Sequence, residues 1–133
     1  MKLYHFCARH SLENIKREGL TLGSIPMVDG NNYKIMDGFQ WLTYNPSFEQ
    51  EWEKHSTLPY RRNYYRITIK IPKTDPNLLK WSELSKIAVF RETASILNAF
   101  GDFENWYVYN GRIKPNYFRE IISFEQYLHN VAK

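Results

Sequence analysis

The chain has 133 residues and a formal charge of +4, the usual size of one domain, and can bury roughly two thirds of its unfolded surface without a disulfide or metal staple. A single cysteine, Cys7, excludes an internal disulfide, no Cys/His spacing of the zinc kind occurs, and the absence of a long apolar run leads us to expect no signal peptide, no membrane span and a cytoplasmic location. The mild basicity suits an anionic ligand such as a dinucleotide or nucleic acid, and 10 Tyr, 8 Phe and 4 Trp are more rings than a core needs, so some should line a cleft or contact surface.

Leu3 to Phe6 form a β-prone run rich in aromatic side chains. Ser11 is placed to cap a following helix, Leu12 and Ile15 give that helix its apolar stripe, and Gly19 can end it. Residues 23 to 37 collect Gly23, Pro26, Gly30, Asn31, Asn32 and Asp37 and read as a loop. Phe39 to Thr43 read as a second strand, stopped at Asn45-Pro46. Ser47 and Gln50 have capping-box spacing, with Phe48 and Trp52 a helical turn apart, so a short helix to His55 is expected.

Tyr65, Ile67, Ile69 and Ile71 alternate with Arg66, Thr68 and Lys70, which predicts a strand with one buried face. Asp75-Pro76 predicts a brief helix packed through Leu78, Leu79 and Trp81. Arg91 to Phe100 predict another, with Ile96, Leu97 and Phe100 inward and Gly101 as its stop. Trp106 to Tyr109 and Phe118 to Phe124 are the last strands, with a tight-turn signal at Asn110-Gly111. The order is α+β, not a regular βαβ winding, and no linker divides residues 1–133.

The front of the chain resembles the NAD-using ADP-ribosyltransferase superfamily. There an aromatic-His-Gly-Thr strand precedes a helix reading Asn-Leu-x-x-Ile-x-x-x-Gly-Leu; Tyr4-His5-Phe6-Cys7 and Leu12-x-x-Ile15-x-x-x-Gly19-Leu20 are similar, with Phe6 in place of the glycine and Cys7 in place of the threonine. The resemblance implies two small packed antiparallel or mixed sheets with flanking helices, and NAD, as substrate, in a cleft between them. It implies that His5 bonds the adenosine ribose and that backbone near Tyr4 and Phe6 holds the nicotinamide amide. From the residues alone, His5 reads equally as a half-buried histidine satisfied by a backbone carbonyl.

Cleaving the bond from nicotinamide to ribose builds positive charge on the sugar and calls for a carboxylate. By resemblance that is Glu104, ahead of the strand from Trp106, with Glu120 as the rival; a solvated loop charge is the plain alternative. Trp41-Leu42-Thr43-Tyr44 lies where the superfamily carries a Ser/Thr strand or a nicotinamide-stacking tyrosine, so Thr43 is expected to orient the glutamate and Trp41, Tyr44 or Trp52 to stack on the ring. Trp41 and Trp52 also read as plain core. Relatives that are RNA 2'-phosphotransferases use basic residues, for which Arg9 and Arg112 are candidates. The expected activity is transfer of ADP-ribose from NAD to a protein or nucleic-acid acceptor, with no metal and no membrane partner.

Other chemistry finds few residues. A Cys7 nucleophile beside His5 or His10 lacks an orienting third group. The second function class is a nucleic-acid-binding or toxin-like module without NAD chemistry, resting on Lys54-His55 and on Arg61-Arg62-Asn63-Tyr64-Tyr65-Arg66, where cations stand beside rings. A solvated, edge-protecting charge run is its plain alternative.

Overall fold

The computed structural model describes residues 1–54 and 56–131. Strand β1 (Lys2–Cys7) leads through a 3-10 turn to helix α1 (Leu12–Glu18), as the aromatic run and the Leu12/Ile15 stripe predict. Ser11 makes no side-chain cap bond; Gly19 ends the helix at φ 83°, its N–H donating to Ile15 O. A Cβ at Gly19 would lie 2.1 Å from Ile113 O, so only glycine lets the chain at Leu20 and Ile113 pass this closely.

Residues 24 to 37 are a hairpin, not a loop: β2 (Ser24–Asp29) pairs antiparallel with β3 (Asn32–Asp37). Gly30, at φ 61°, supplies the left-handed backbone that a two-residue hairpin turn asks of its first central residue. Pro26 is tolerated because β2 has a partner on one side only.

Strand β4 (Phe39–Thr43) follows as expected. The Ser47 turn is not a capping box: Ser47 Oγ accepts the N–H of Glu49, not of Gln50, and the buried Gln50 amide donates to the carbonyls of Asn45 and Ser47. Helix α2 therefore starts later and spans Glu51–Lys54; the expected end at His55 lies outside the described residues. Strand β5 (Tyr65–Lys70) has Ile67, Ile69 and the following Ile71 fully buried, as predicted, but Thr68 on the opposite face is buried too, so only Lys70 of that face is exposed.

Leu78 and Leu79 are not helical. They belong to β6 (Leu78–Lys80), whose backbone pairs with β7 (Trp106–Asn110), and helix α3 (Trp81–Leu84) begins only at Trp81. Asp75 instead closes a turn on the N–H of Asn77 and accepts the Tyr109 hydroxyl. Helix α4 (Arg91–Leu97) runs into a 3-10 turn ending at Phe100. Its buried residues are Thr93 and Ala94; of the three expected inward, Leu97 packs half-buried against the core, while Ile96 and Phe100 are exposed. The small face is required because α4 lies on the hairpin backbone: Thr93 Oγ1 accepts the Val28 N–H at 2.9 Å.

β8 (Phe118–Ser123) pairs with β5, so Asn110-Gly111 does not close a hairpin. Phe124 is not in the strand; it opens α5 (Phe124–Val131), where Gln126 N–H donates to Ser123 Oγ and Ser123 N–H to Gln126 Oε1, a reciprocal capping box.

The resulting α+β architecture has a six-stranded antiparallel sheet ordered β6-β7-β4-β1-β5-β8, plus the β2-β3 hairpin. One face packs Leu3, Cys7, Leu42, Ile67 and Ile69 against Leu12 and Ile15 of α1; the other packs Trp106 and Val108 against Trp81, Phe90 and Ala94. The strands thus form two sheets of unequal size, and the larger one has a weak seam. β1 and β4 are joined in register only at Tyr4 and Thr43, whereas β1 and β5 pair along their whole length.

Candidate functional site

The seam sets the site. β4 pairs with β7 along its length but with β1 only at Thr43, so on the β1 side Trp41 O takes a side-chain partner: His5 Nδ1 lies 2.9 Å from it. A carbonyl can only accept, so Nδ1 carries the hydrogen and Nε2 keeps its lone pair. Nε2 has no protein partner among the described residues, and His5 lines the cavities on both sides of the seam. Burial lowers the His5 pKa below its ordinary 6.5, outweighing the carbonyl bond that raises it. Near neutral pH the side chain is a neutral, oriented hydrogen-bond acceptor, and the plain reading of a carbonyl-satisfied histidine accounts for just one of its two nitrogens.

This gives a pH expectation. The unfolded chain takes up its His5 proton near pH 6.5 and the folded chain only at lower pH, so His5 contributes stability that is fully present above 6.5 and is lost as pH falls through the folded pKa. Affinity for a ligand hydroxyl at Nε2 should be level from about pH 8 to 6.5 and decline below that. Ligand titrations and urea midpoints across this range check it; a decline centred above 6.5 would contradict the assignment.

A cleft of about 310 Å³ opens at the seam, walled by Tyr4, Phe6, Trp41, Thr43, Trp52 and Trp106, with Arg62 at its side. It is mostly apolar with few polar groups, the usual character of a small-molecule site. Phe6 meets Phe48 edge-on at 5.2 Å and Trp52 at 6.4 Å, which fixes one wall. Trp41 meets Trp81 and Trp106 edge-on, and its indole N–H donates to Ser24 O at 2.8 Å, tying the hairpin to the sheet. Trp41 and Trp52 are thus core and cleft wall at once.

Under α1 lies a second cavity of about 540 Å³ that shares His5, Phe6 and Arg62 with the cleft. Arg62 is held in place by Glu53, at 3.4 Å, and by the Trp52 carbonyl, with its guanidinium 5.0 Å from the centre of the Trp52 ring. Gln40, buried at 2 % exposure, lines this second cavity; its Oε1 accepts the Gly23 N–H, while its Nε2 has no partner among the described residues. A buried donor without a partner is costly, and a ligand acceptor would relieve it. Two aromatic or mixed chambers with a cation and an acceptor at their junction suit an elongated ligand with an anionic middle.

Of the residues expected at the site, Tyr4, His5, Phe6, Trp41, Thr43 and Trp52 come together in the cleft. Tyr44 and Glu104 do not line it. They lie together in an adjoining groove of about 660 Å³, joined because Tyr44 N–H donates to Asn105 O at 2.8 Å. The groove and the cleft share Tyr4. Tyr44 lies one residue past the end of β4, in a bend, and its N–H bond to Asn105 O carries it toward the groove. Glu104 is exposed, and Thr43 Oγ1 accepts the Asn45 N–H at 3.1 Å, so the expected Thr43 to Glu104 bond is absent. The rival Glu120 is also exposed, 3.8 Å from Arg66 on the adjacent strand. No carboxylate lines the cleft among the described residues.

The other candidates are accounted for locally. Arg9 donates to the Tyr64 hydroxyl and Arg112 to Glu18 O. Burial pushes the Cys7 thiol up to about 12, so it is not a nucleophile at neutral pH. His10 packs edge-on against Tyr60, and Lys54 pairs with Glu51; its neighbour His55 lies outside the described residues. Among the described residues no cluster of His, Cys, Asp or Glu could hold a metal, and no helix is long and apolar enough to cross a membrane. Sequence reading missed Arg62 and Gln40: the first stood within a charge run that looked uniform, and the second occupied an ordinary strand position. No family model, curated protein or solved structure matches this chain, so the assignment of the site rests on its own geometry.

Proposed function

We propose that residues 1–133 form an ADP-ribosyltransferase-like domain that binds NAD across the β1–β4 seam and moves ADP-ribose from it to a macromolecular acceptor. The observation that carries the reading is His5, held by Trp41 O so that a neutral Nε2 acceptor stands between two chambers. That is the group a ribose hydroxyl needs as partner. The aromatic walls from Tyr4, Phe6, Trp41 and Trp52 suit flat rings, the Arg62 guanidinium suits a pyrophosphate, and the free Gln40 amide suits a base or sugar acceptor.

Transfer breaks the bond from nicotinamide to the ribose C1′. Nicotinamide leaves with the electron pair, the acceptor supplies a new pair to that carbon and loses its proton, and a carboxylate eases the positive charge between the two events. In this reading the carboxylate is Glu104. Its side chain is exposed and has no ion-pair partner among the described residues, so it can turn toward Tyr4, where groove and cleft meet. The test is incubation with NAD followed by assay of free nicotinamide. Release above the spontaneous rate is expected, whereas an NAD pool that binds and stays intact would reduce the reading to a nucleotide-binding domain.

A further inference from the structure

The cation and ring cluster from Arg61 to Arg66 is already engaged within the protein. Arg61 lies 3.6 Å from the centre of the Phe124 ring, Arg62 is turned to the cleft, and Arg66 donates to Pro46 O and approaches Glu120. Tyr64 donates its hydroxyl to Glu125 and carries Arg9 on its ring. A nucleic acid would have to displace these partners before gaining its own.

The groove beside the cleft is different. It lies where β1 begins, β4 and β6 end and β7 begins, and it carries Lys2, Lys73 and Lys80, all exposed. Among the described residues none of the three has a carboxylate within ion-pair distance, and Glu104 is the one acidic residue in the lining. Tyr44 presents its ring at 58 % exposure between them. Unpaired cations around an unoccupied ring are what a phosphate backbone and a stacked base require together. An acidic polypeptide would satisfy the lysines and leave the tyrosine face without a planar partner.

We propose that this groove binds single-stranded nucleic acid, with Lys2, Lys73 and Lys80 on phosphates and a base stacked on Tyr44. Binding there does not depend on NAD chemistry. Where both hold, Tyr4 and Glu104 set the strand next to the dinucleotide, and nucleic acid is the acceptor class.

The experiment is fluorescence anisotropy with labelled single-stranded DNA and RNA of about twelve nucleotides, in the absence of NAD. Wild-type protein is expected to bind at low salt, with log K falling against log salt at a slope near −2, about −0.7 for each of three phosphate contacts. Lys73→Gln with Lys80→Gln should cut the slope to roughly a third, and Tyr44→Ala should weaken binding at least about fivefold. All three sites are exposed, and urea midpoints check that the variants stay folded. The proposal is overturned if neither oligonucleotide binds, if both variants bind like wild type, or if poly-glutamate of equal charge competes as well as the oligonucleotide. Because no NAD is present, these outcomes are separate from failure of the NAD reading.

Discussion

Glu104→Gln is expected to slow nicotinamide release from NAD by roughly 10²- to 10³-fold while changing NAD affinity little, the range found when one group that stabilises transition-state charge is removed. The reason is placement. Glu104 stands outside the cleft that would hold the dinucleotide, so it contributes little to ground-state binding, and its amide replacement keeps the shape and loses the charge. Glu120→Gln, on an exposed strand face beside Arg66, should leave turnover near wild type. Turnover assays with saturating NAD decide between them; an unaffected Glu104→Gln rate with a depressed Glu120→Gln rate would reverse the roles.

The largest stability effect should come from Trp81→Ala, at about 3–5 kcal/mol. Trp81 is fully buried, meets Trp41 and Phe90 edge-on, and donates its indole N–H to Asn98 Oδ1 at 2.7 Å. Truncation removes the ring, leaves a cavity and strands an acceptor. Trp52→Ala should cost roughly half as much, because Trp52 is half-buried and one of its faces looks into the cleft. Its effect should fall on ligand affinity instead. Urea denaturation of both variants tests the contrast, and equal midpoints would mean that Trp52 is core in the same sense as Trp81.

Where strand or helix follows from a local period, the sequence was readable. Ile67, Ile69 and Ile71 recur at every second position because that face is core, though the buried Thr68 opposite them was not foreseen, and Leu12, Ile15 and Gly19 mark α1 because the helix needs one apolar stripe and a left-handed stop. The hairpin of residues 24 to 37 was hidden by its own turn formers. Gly30-Asn31 is a hairpin signal, but Pro26 and the exposed Tyr33 and Ile35 blur the alternation, since β2 and β3 each have one partner strand. The Ser123 to Gln126 capping box was equally present and was masked by the β-prone Ile121-Ile122 before it. Leu78 and Leu79 became strand because β7 offered an open edge, a tertiary fact that no local pattern carries.

The candidate site divides in the same way. Tyr4, His5 and Phe6 are contiguous, and Trp41 and Thr43 lie on the strand that meets them, so one motif on each strand sufficed to gather the cleft. Arg62 reaches it from the connection after α2, and Gln40 enters through the splay of β4 from β1. Both depend on how the seam opens. Tyr44 parts from Thr43 because β4 ends between them, and the groove that Tyr44 forms with Glu104 and three lysines emerges only once β6 and β7 are in place.

Proton NMR of NAD in the presence of the protein tests whether the seam cleft holds the dinucleotide. Selective broadening of both the nicotinamide and the adenine protons by wild-type protein is expected, with His5→Ala losing most of it while its urea midpoint shows that it stays folded. No broadening by wild-type protein at millimolar NAD, or equal broadening by the folded His5→Ala variant, would contradict the account.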